Sequence, residues 1–190
     1  MNLTVGTLEF RPVSEHPELL APSVMAALRG TSGADGVGVS EIDPSLADTA
    51  TFCEQYDVGP EISANCVVLQ AKRGEKVWFA ACVILATARA DVNGAVRQIL
   101  QARKVSFASM QEAVSLTRME HGGITPIGLP SEWPLLLDKA VADADCVIVG
   151  SGMRKSKVAI SGRLLAKLPN ARIVEGLGQL KSHQQTRSTR

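Results

Sequence analysis

The apolar residues of the chain fall into short blocks separated by glycine, proline and charged residues. Two blocks, 64–71 and 77–86, are rich in β-branched residues and flank the turn sequence Lys72-Arg73-Gly74-Glu75. Apolar β-branched runs on both sides of a charged, glycine-containing turn predict a β-hairpin. We predict further strands at 37–42, 105–108, 135–142, 146–150, 157–160 and 172–175.

Helical patterns are clearest where a capping residue precedes regularly spaced apolar positions. Residues 17–29 have the spacing of an amphipathic helix. Asp43 is suited to cap a helix over 43–56. Ser109, with a glutamate three residues later, has the sequence of a capping box and predicts a helix over 109–116. Shorter helices are predicted at 92–101 and 164–168.

Strands and helices follow one another without regular β-α-β alternation, and the hairpin is antiparallel by construction. This order predicts an α+β fold. The 190 residues fit a single domain. We expect that domain over 1–177, with an N-terminal extension at 1–43 and a core at 44–177. Residues 178–190 are polar and basic without apolar periodicity, which predicts a flexible basic tail.

Composition and charge are those of an ordinary globular protein, with 45% apolar residues, 21% charged residues and a net charge of +1. No run of 18 apolar residues is present, so we expect neither a membrane span nor a membrane partner. The first ten residues lack a basic region followed by an apolar stretch, so we expect no secretory signal and a cytoplasmic location.

The cysteines and histidines are scattered along the chain. Cysteines stand at 53, 66, 82 and 146, without a C-x-x-C pair, and histidines stand at 16, 121 and 183. We therefore expect no metal site, no disulfide framework and no cofactor. The familiar motifs of serine hydrolases, zinc hydrolases and phosphate-binding loops are also missing from the sequence.

Residues 122–130 read Gly-Gly-Ile-Thr-Pro-Ile-Gly-Leu-Pro and are the most unusual stretch of the chain. Glycine leaves main-chain groups open to close approach, and proline fixes the backbone angle φ. The segment is suited to form a rigid pocket wall made of backbone. The alternative is a surface connection that is rich in turn-forming residues.

Four segments share the order and spacing of one known family. The chain resembles the YbaK family, also called the prolyl-tRNA synthetase-associated (ProX-like) domain, over residues 44–177. Its sharpest element is the Gly-x-x-Pro-x-Gly pattern at Gly123, Pro126 and Gly128. The matching segments are Ala64 to Val68, Ala108 to Thr117, Gly122 to Leu129 and Val149 to Gly152.

The resemblance implies a curved, mixed, barrel-like β-sheet decorated by helices, with a pocket at its mouth. It implies trans hydrolysis of the ester between a mistaken amino acid and its tRNA, with the 3′ end of aminoacyl-tRNA as partner. An aminoacyl-tRNA synthetase is a second candidate partner, and DNA is not expected. Charge developing in the reaction would be stabilised by backbone dipoles, because no side-chain nucleophile is evident.

By the same resemblance, the main chain of Gly123 to Pro126 contacts the amino acid and the terminal adenosine ester. Ile124 and Ile127 are candidates for shaping the pocket, or are simply core residues. The candidate catalytic residues are Gly123, Thr125, Asn65 and Lys157. The candidate substrate-binding residues are Gly122, Ile124, Pro126, Ile127, Gly128, Gly150, Ser151, Gly152 and Arg154.

Two positions depart from the family pattern. Editing members commonly carry lysine where Asn65 stands, and many relatives carry an acidic residue where Lys157 stands. We hypothesise that Lys157, or Arg154 beside it, supplies the pocket's cation from the opposite wall; the alternative is a solvated basic edge. The neutral Asn65 also leaves open a rival function, a non-catalytic module that binds an aminoacyl group, a nucleotide or tRNA.

Two further groups of residues are candidates for substrate contacts. Arg89 and Asp91 could reach the pocket rim, or Asp91 could only cap a helix. Trp133 could close one side of the pocket or anchor the core. Candidate phosphate contacts are Arg154, Lys155, Lys157, Arg163 and Lys167, and the low net charge predicts weak, salt-sensitive RNA binding.

Overall fold

The computed structural model describes residues 3–180. Its strands are β1 (Leu3–Val5), β2 (Leu8–Pro12), β3 (Gly38–Glu41), β4 (Ala64–Arg73), β5 (Lys76–Leu85), β6 (Ala88–Ala90), β7 (Lys104–Phe107), β8 (Leu135–Asp138), β9 (Val147–Gly150), β10 (Ser156–Ile160), β11 (Ala171–Val174) and β12 (Gly178–Leu180). Its α-helices are α1 (Pro22–Arg29), α2 (Thr49–Gln55), α3 (Arg97–Ile99), α4 (Met110–Thr117), α5 (Lys139–Ala142) and α6 (Gly162–Leu165).

The strands form two five-stranded sheets that together make a curled half-barrel, which confirms the predicted α+β class. The first sheet has the order β1-β2-β3-β10-β9 and is antiparallel throughout. The second has the order β11-β8-β5-β4-β7, in which β8 runs parallel to both β5 and β11. A parallel bridge between Ser63 and Ile148 joins the two sheets, and β12 pairs with β6 as a separate ribbon.

The predicted hairpin is the longest regular element of the described chain. β4 and β5 each have ten residues and pair from Ala64 opposite Leu85 to Arg73 opposite Lys76. The turn residue Gly74 has a φ of +61°, a value that costs glycine nothing. Both strands contribute to the core, so the hairpin fixes the register of the second sheet.

The main core lies between the two sheets and is closed by α1. It includes Val24 and Leu28 of α1, Val83 of β5, Val149 of β9 and Val158 of β10. A separate cluster packs on the other face of the first sheet, beneath α2. β10 is therefore buried on both faces, and its one charged residue, Lys157, is buried with it.

Several predicted elements are shorter than expected, and local capping explains most of the differences. The strand predicted at 135–142 ends at Asp138, whose carboxylate accepts a hydrogen bond from Ala140 N at 2.8 Å and starts α5. The helix predicted at 17–29 begins only at Pro22, after a single 3₁₀ turn. The helix at 43–56 is likewise a 3₁₀ turn followed by α2, which has its own cap at Asp48.

Two further predictions need correction, and two strands were missed. Residues 92–101 form a π-helical turn at Val92–Val96 followed by the short α3. β1 and β2 were not predicted from the sequence; they extend the first sheet beyond β3. The tail prediction is wrong for residues 178–180, which form β12, and Gly178 N donates to Asp138 Oδ2 at 2.7 Å. The rest of the predicted tail, 181–190, lies outside the described residues.

None of the helices within 3–180 is long and apolar enough to cross a bilayer.

The capping box predicted at Ser109 is present, with Glu112 N donating to Ser109 Oγ and Ser109 N donating to the Glu112 carboxylate. Because this box fixes the first turn of α4, it also fixes the side of the cavity described below.

Candidate functional site

A cavity of 560 Å³ opens where β4 begins, between α4, β6 and the loop 119–130. We call it the β4 cavity and the loop the glycine loop. Its wall is mostly apolar, with Val68, Ile84, Ala113 and Ile124 among its lining residues. Its polar lining residues are Asn65, Arg89 and His121, and Cys66 adds a thiol to the apolar side.

Main-chain hydrogen bonds hold the glycine loop against the segment 150–153. Gly152 N donates to the Gly123 carbonyl at 2.8 Å, and Glu120 N donates to the Gly152 carbonyl at 2.9 Å. A Cβ atom at Gly123 would clash with the backbone of Met153, and one at Gly150 would clash with the carbonyls of the glycine loop. These glycines are required because two backbones pass in direct contact.

The two isoleucines of the glycine loop have different roles. Ile124 is partly exposed, lines the β4 cavity and also packs against the core. Ile127 is fully buried in the main core, so its side chain does not reach the cavity surface. Pro126 is buried beside it, and Gly128, with a φ of +77°, passes against the backbone of Ser23. The second half of the loop is therefore an anchor.

Gly150, Ser151 and Gly152 lie behind the glycine loop and do not line the cavity. Ser151 is completely buried, and its Oγ lies 2.7 Å from Ser156 Oγ. Ser156 Oγ in turn donates to the Leu19 carbonyl at 2.6 Å. This chain of hydroxyls ties the segment to the N-terminal extension, so these predicted binding residues support the loop from below.

Arg154 also supports the loop. Its Nε donates to the Pro44 carbonyl at 2.9 Å, and its Nη1 donates to the His121 carbonyl at 3.2 Å. Gly122, with a φ of +82°, leaves room for this guanidinium group, since a Cβ there would meet Arg154 Nη1. Arg154 therefore fixes the position of His121 at the cavity edge.

Asn65 lies at the point where two cavities meet. It lines the β4 cavity and also a neighbouring cavity of 450 Å³ beside α2. Its Oδ1 accepts a hydrogen bond from Thr49 Oγ1 at 2.6 Å, which leaves the Nδ2 group as a donor. The position is neutral but can still orient a carbonyl or a water molecule.

Lys157 does not reach the β4 cavity. Its side chain is only 6% exposed and points from β10 toward α2, where Nζ donates to the Ala47 carbonyl at 2.9 Å and lies 4.9 Å from the centre of the Phe52 ring. Strand alternation explains this placement, because Val158 faces the main core and Lys157 the opposite face. Burial lowers the pKa of Lys157 to about 8.

Arg89 is the cation that the structure places at the β4 cavity. It lies exposed on β6, and within residues 3–180 its guanidinium group forms no ion pair. Asp91 is the cap of the following π-helical turn, accepting from Gly94 N and Ala95 N at 3.0 Å each. Of these two rim candidates, Arg89 lines the cavity, whereas Asp91 caps the π-helical turn and does not line the cavity.

The sequence prediction missed two apolar residues at the cavity mouth, Phe107 and Met110, which are 64% and 59% exposed. Phe107 lies two residues after the buried Val105 of β7 and so on the same face of the strand, a pattern that wrongly suggests a core position. The exposure of an aromatic residue beside a cavity became visible only in three dimensions. Trp133, by contrast, is buried and stacks on Phe79 with ring centres 5.5 Å apart, as a core anchor.

The thiol that lines the β4 cavity is not a ready nucleophile. Burial raises the pKa of the Cys66 thiol far above its ordinary value, so the sulfur lining the cavity stays protonated at neutral pH. Across residues 3–180, no three His, Cys, Asp or Glu side chains come together as a metal site would require.

Comparison with known proteins identifies the family. The model of the aminoacyl-tRNA editing domain family matches residues 43–168, and the chain therefore belongs to this family. The resemblance inferred from the sequence is confirmed. The match begins at Asp43, so the strands β1 and β2 lie outside it. No curated protein matches the sequence.

Solved structures with a similar fold include three proteins of low sequence identity. One is a protein proposed to be a trans-editing enzyme for prolyl tRNA synthetase, with a TM-score of 0.69, 19% identity, and coverage of 84% of this chain and 99% of that chain. A chain from work on epitope backbone grafting by computational design gives a TM-score of 0.69, 18% identity and the same coverage. The hypothetical protein APE2540 has a TM-score of 0.65 and 19% sequence identity, and the match covers 74% of this chain and 90% of that chain. At these identities the similarity shows the fold alone.

Thr125 provides a stability test of the glycine loop. Its Oγ1 is completely buried and has no hydrogen-bond partner among the described residues. Because an unpaired buried hydroxyl is costly, Thr125→Val should raise the free energy of unfolding by about 1 kcal/mol, measured by urea denaturation. The matched control is Thr117→Val, which should destabilise, because Thr117 Oγ1 donates to Ala113 O at 2.6 Å and accepts from Met119 N. Destabilisation by both variants would contradict the prediction.

Lys157 provides a pH test. At pH values well below 8 the ammonium group is charged in the folded and the unfolded chain. Between about 8 and its ordinary value of 10.5, the unfolded chain binds this proton more tightly, so Lys157 adds stability as pH rises. The stability of Lys157→Met relative to wild type should therefore fall by about 2 kcal/mol between about pH 7 and about pH 10. A difference that stays constant in urea denaturation across this range would contradict the buried, perturbed lysine.

Proposed function

We propose that this protein hydrolyses the ester bond of misacylated aminoacyl-tRNA in the β4 cavity. The observation that carries the proposal is the position of that cavity, between the glycine loop and the start of β4, on an aminoacyl-tRNA editing domain. The cavity combines an apolar wall, a neutral hydrogen-bond donor at Asn65 and a cation at Arg89.

The size of the cavity favours the aminoacylated end of a tRNA over a longer segment. A volume of 560 Å³ lies within the range of small-molecule sites, which is about 300–1,000 Å³. An aminoacyl adenosine fits such a space, whereas several nucleotides do not. Cys66, Val68 and Ile124 form the apolar side, which would select the amino acid by size.

The chemistry requires a water molecule, a group that takes its proton and a donor to the developing oxyanion. Water attacks the ester carbonyl, the bond to the ribose oxygen breaks, and that oxygen leaves as a hydroxyl after accepting a proton. His121 is the candidate general base, since it lines the cavity at a position fixed through Arg154. Asn65 Nδ2 and the glycine-loop main chain are the candidate oxyanion donors.

Two residues at the rim suit the nucleotide. Phe107 offers an exposed aromatic face on which the terminal adenine could stack, a contact worth about 1–3 kcal/mol. Arg89 is placed to bind the adjoining phosphate through its planar guanidinium group. Together they would hold the RNA end while the apolar wall holds the amino acid.

The second candidate function is binding without catalysis. The observation that favours it is the engagement of Asn65 Oδ1 by Thr49 at 2.6 Å, which ties up one side of a residue that is already uncharged. In this alternative the cavity binds an aminoacyl group, a nucleotide or the tRNA end and releases it unchanged.

The deciding experiment is single-turnover deacylation of alanyl-, cysteinyl- and seryl-tRNA(Pro), with prolyl-tRNA(Pro) as the correctly charged control. We expect hydrolysis of one misacylated species and sparing of the control. Asn65→Lys is tested beside the wild type. An inactive wild type with an active Asn65→Lys variant would point to the binding alternative, and inactivity of both would refute the proposed hydrolase.

Arg89 makes a separate kinetic prediction. Arg89→Gln should raise KM about tenfold with kcat little changed, because a phosphate contact distant from the ester binds substrate and transition state alike. Arg172→Gln is the matched control, since Arg172 is equally exposed but lies on β11 and does not line the cavity. Equal KM values for the two variants would exclude Arg89 as a phosphate ligand.

A further inference from the structure

The far end of the hairpin carries a second, strongly basic groove. A cavity of 850 Å³ lies between the β4–β5 turn and the helical segment 92–101. Its charged lining residues are three arginines, Arg73, Arg97 and Arg103, and no acidic residue lines it. We call it the hairpin groove.

Lysines on the neighbouring strands extend this charge. Lys72 of β4 pairs directly with Lys104 of β7, and Arg73 pairs with Lys76 of β5. Like charges directly opposite each other on adjacent strands destabilise a sheet. All of these side chains are exposed, and the nearest acidic residue in sequence is Glu75 in the turn.

The six cations of this region lack a carboxylate partner within the part of the chain that the structure describes, although Lys76 Nζ lies 5.7 Å from the centre of the Trp78 ring. None of them takes part in an ion pair with a carboxylate there. The contact of Arg73 Nη1 with the Gln101 carbonyl, at 3.4 Å, leaves most of its guanidinium donors free. The protein as a whole has a net charge of only +1, so this is a local concentration of charge and not a general property.

Geometry relates the hairpin groove to the β4 cavity. Val67 lines the β4 cavity and Arg73 lines the hairpin groove on the same face of β4. Leu69 and Ala71 between them are fully buried, so a ligand that reaches both sites passes over the surface beside this face. From Asn65 to Arg73 the strand advances by about 26 Å, at roughly 3.3 Å per residue. A single extended ligand would have to be a polyanion of at least that length to use both sites.

We propose that the hairpin groove binds the sugar-phosphate backbone of the RNA whose 3′ end enters the β4 cavity. At this distance the contact falls on the body of the RNA and not on its terminal nucleotide. Arginine side chains that bind phosphates do not distinguish one base from another. The groove would therefore add affinity for RNA without adding sequence specificity. The inference rests on the proposed function for the identity of the RNA.

The groove also relocates the phosphate contacts that the sequence suggested. The predicted basic cluster is broken up in the structure, because Lys157 is buried and Arg154 is held by two backbone carbonyls. The hairpin groove instead gathers arginines from β4, from α3 and from the position just before β7, which are separated by up to 30 positions in sequence. A linear scan for charge runs therefore does not find it.

The test uses the double variant Arg97→Gln/Arg103→Gln, which keeps Arg73 and its contact with Gln101. The control is Arg29→Gln/Arg172→Gln, which removes the same charge from exposed positions outside the groove. Binding of uncharged tRNA is measured by fluorescence anisotropy over a series of salt concentrations, with thermal unfolding to confirm that both variants are folded.

We expect the groove variant to bind about tenfold more weakly and to lose about 2 from the slope of log K against log salt, one for each lost phosphate contact. The control should bind within about twofold of the wild type, since it removes no phosphate contact. Equal losses in both variants, or an unchanged slope in the groove variant, would overturn the proposal. A loss of binding to polyglutamate without a loss of binding to RNA would also overturn it and would indicate an acidic protein partner.

This experiment separates the two proposals, because RNA binding is measured without hydrolysis. A protein that hydrolyses no aminoacyl-tRNA but binds tRNA through the hairpin groove would refute the enzyme and retain the groove. A protein that hydrolyses aminoacyl-tRNA and binds RNA equally well in both double variants would retain the enzyme and refute the groove.

Discussion

The direct contact between two stretches of backbone, the glycine loop and residues 150–153, is the constraint on which the candidate site depends. Two main-chain hydrogen bonds of 2.8 and 2.9 Å close this contact, and glycine at positions 123 and 150 makes it sterically possible. Because this contact fixes the first half of the loop, Ile124 is held at the cavity wall. The steric demands of this contact account for glycine at both positions, whether or not a ligand binds.

The polar residues of the site fall into a buried group, which supports the scaffold, and an exposed group at the cavity rim. The buried polar groups of Ser151 and Lys157 hydrogen-bond to a neighbouring hydroxyl and to a backbone carbonyl and serve the scaffold, whereas the buried Thr125 hydroxyl has no partner among the described residues. Arg89 and His121, which line the cavity, lie on short or irregular elements at its rim, and Asn65 keeps its Nδ2 donor at the start of β4. In this protein, chemical character alone does not distinguish a supporting residue from a binding residue, whereas exposure does.

The sequence predicted the fold class, the hairpin, the capping box of α4 and the family, because each depends on local patterns or on spacing along the chain. It was less successful with the site. Ile124 and Asn65 line the β4 cavity, whereas Gly150, Ser151 and Gly152 lie behind the loop, and Lys157 points the other way. Phe107 and the hairpin groove were missed, since their neighbours are distant in sequence.

The sequence by itself determined where strands, turns and caps form, because alternation, glycine and capping side chains act over a few residues. Only the tertiary structure decided which face of each strand would be covered. β10 is buried on both sides, so the sign of its charge at Lys157 could be read from the sequence but its inaccessibility could not. Burial is set by packing between elements far apart in the chain, and that packing determines which cations meet solvent.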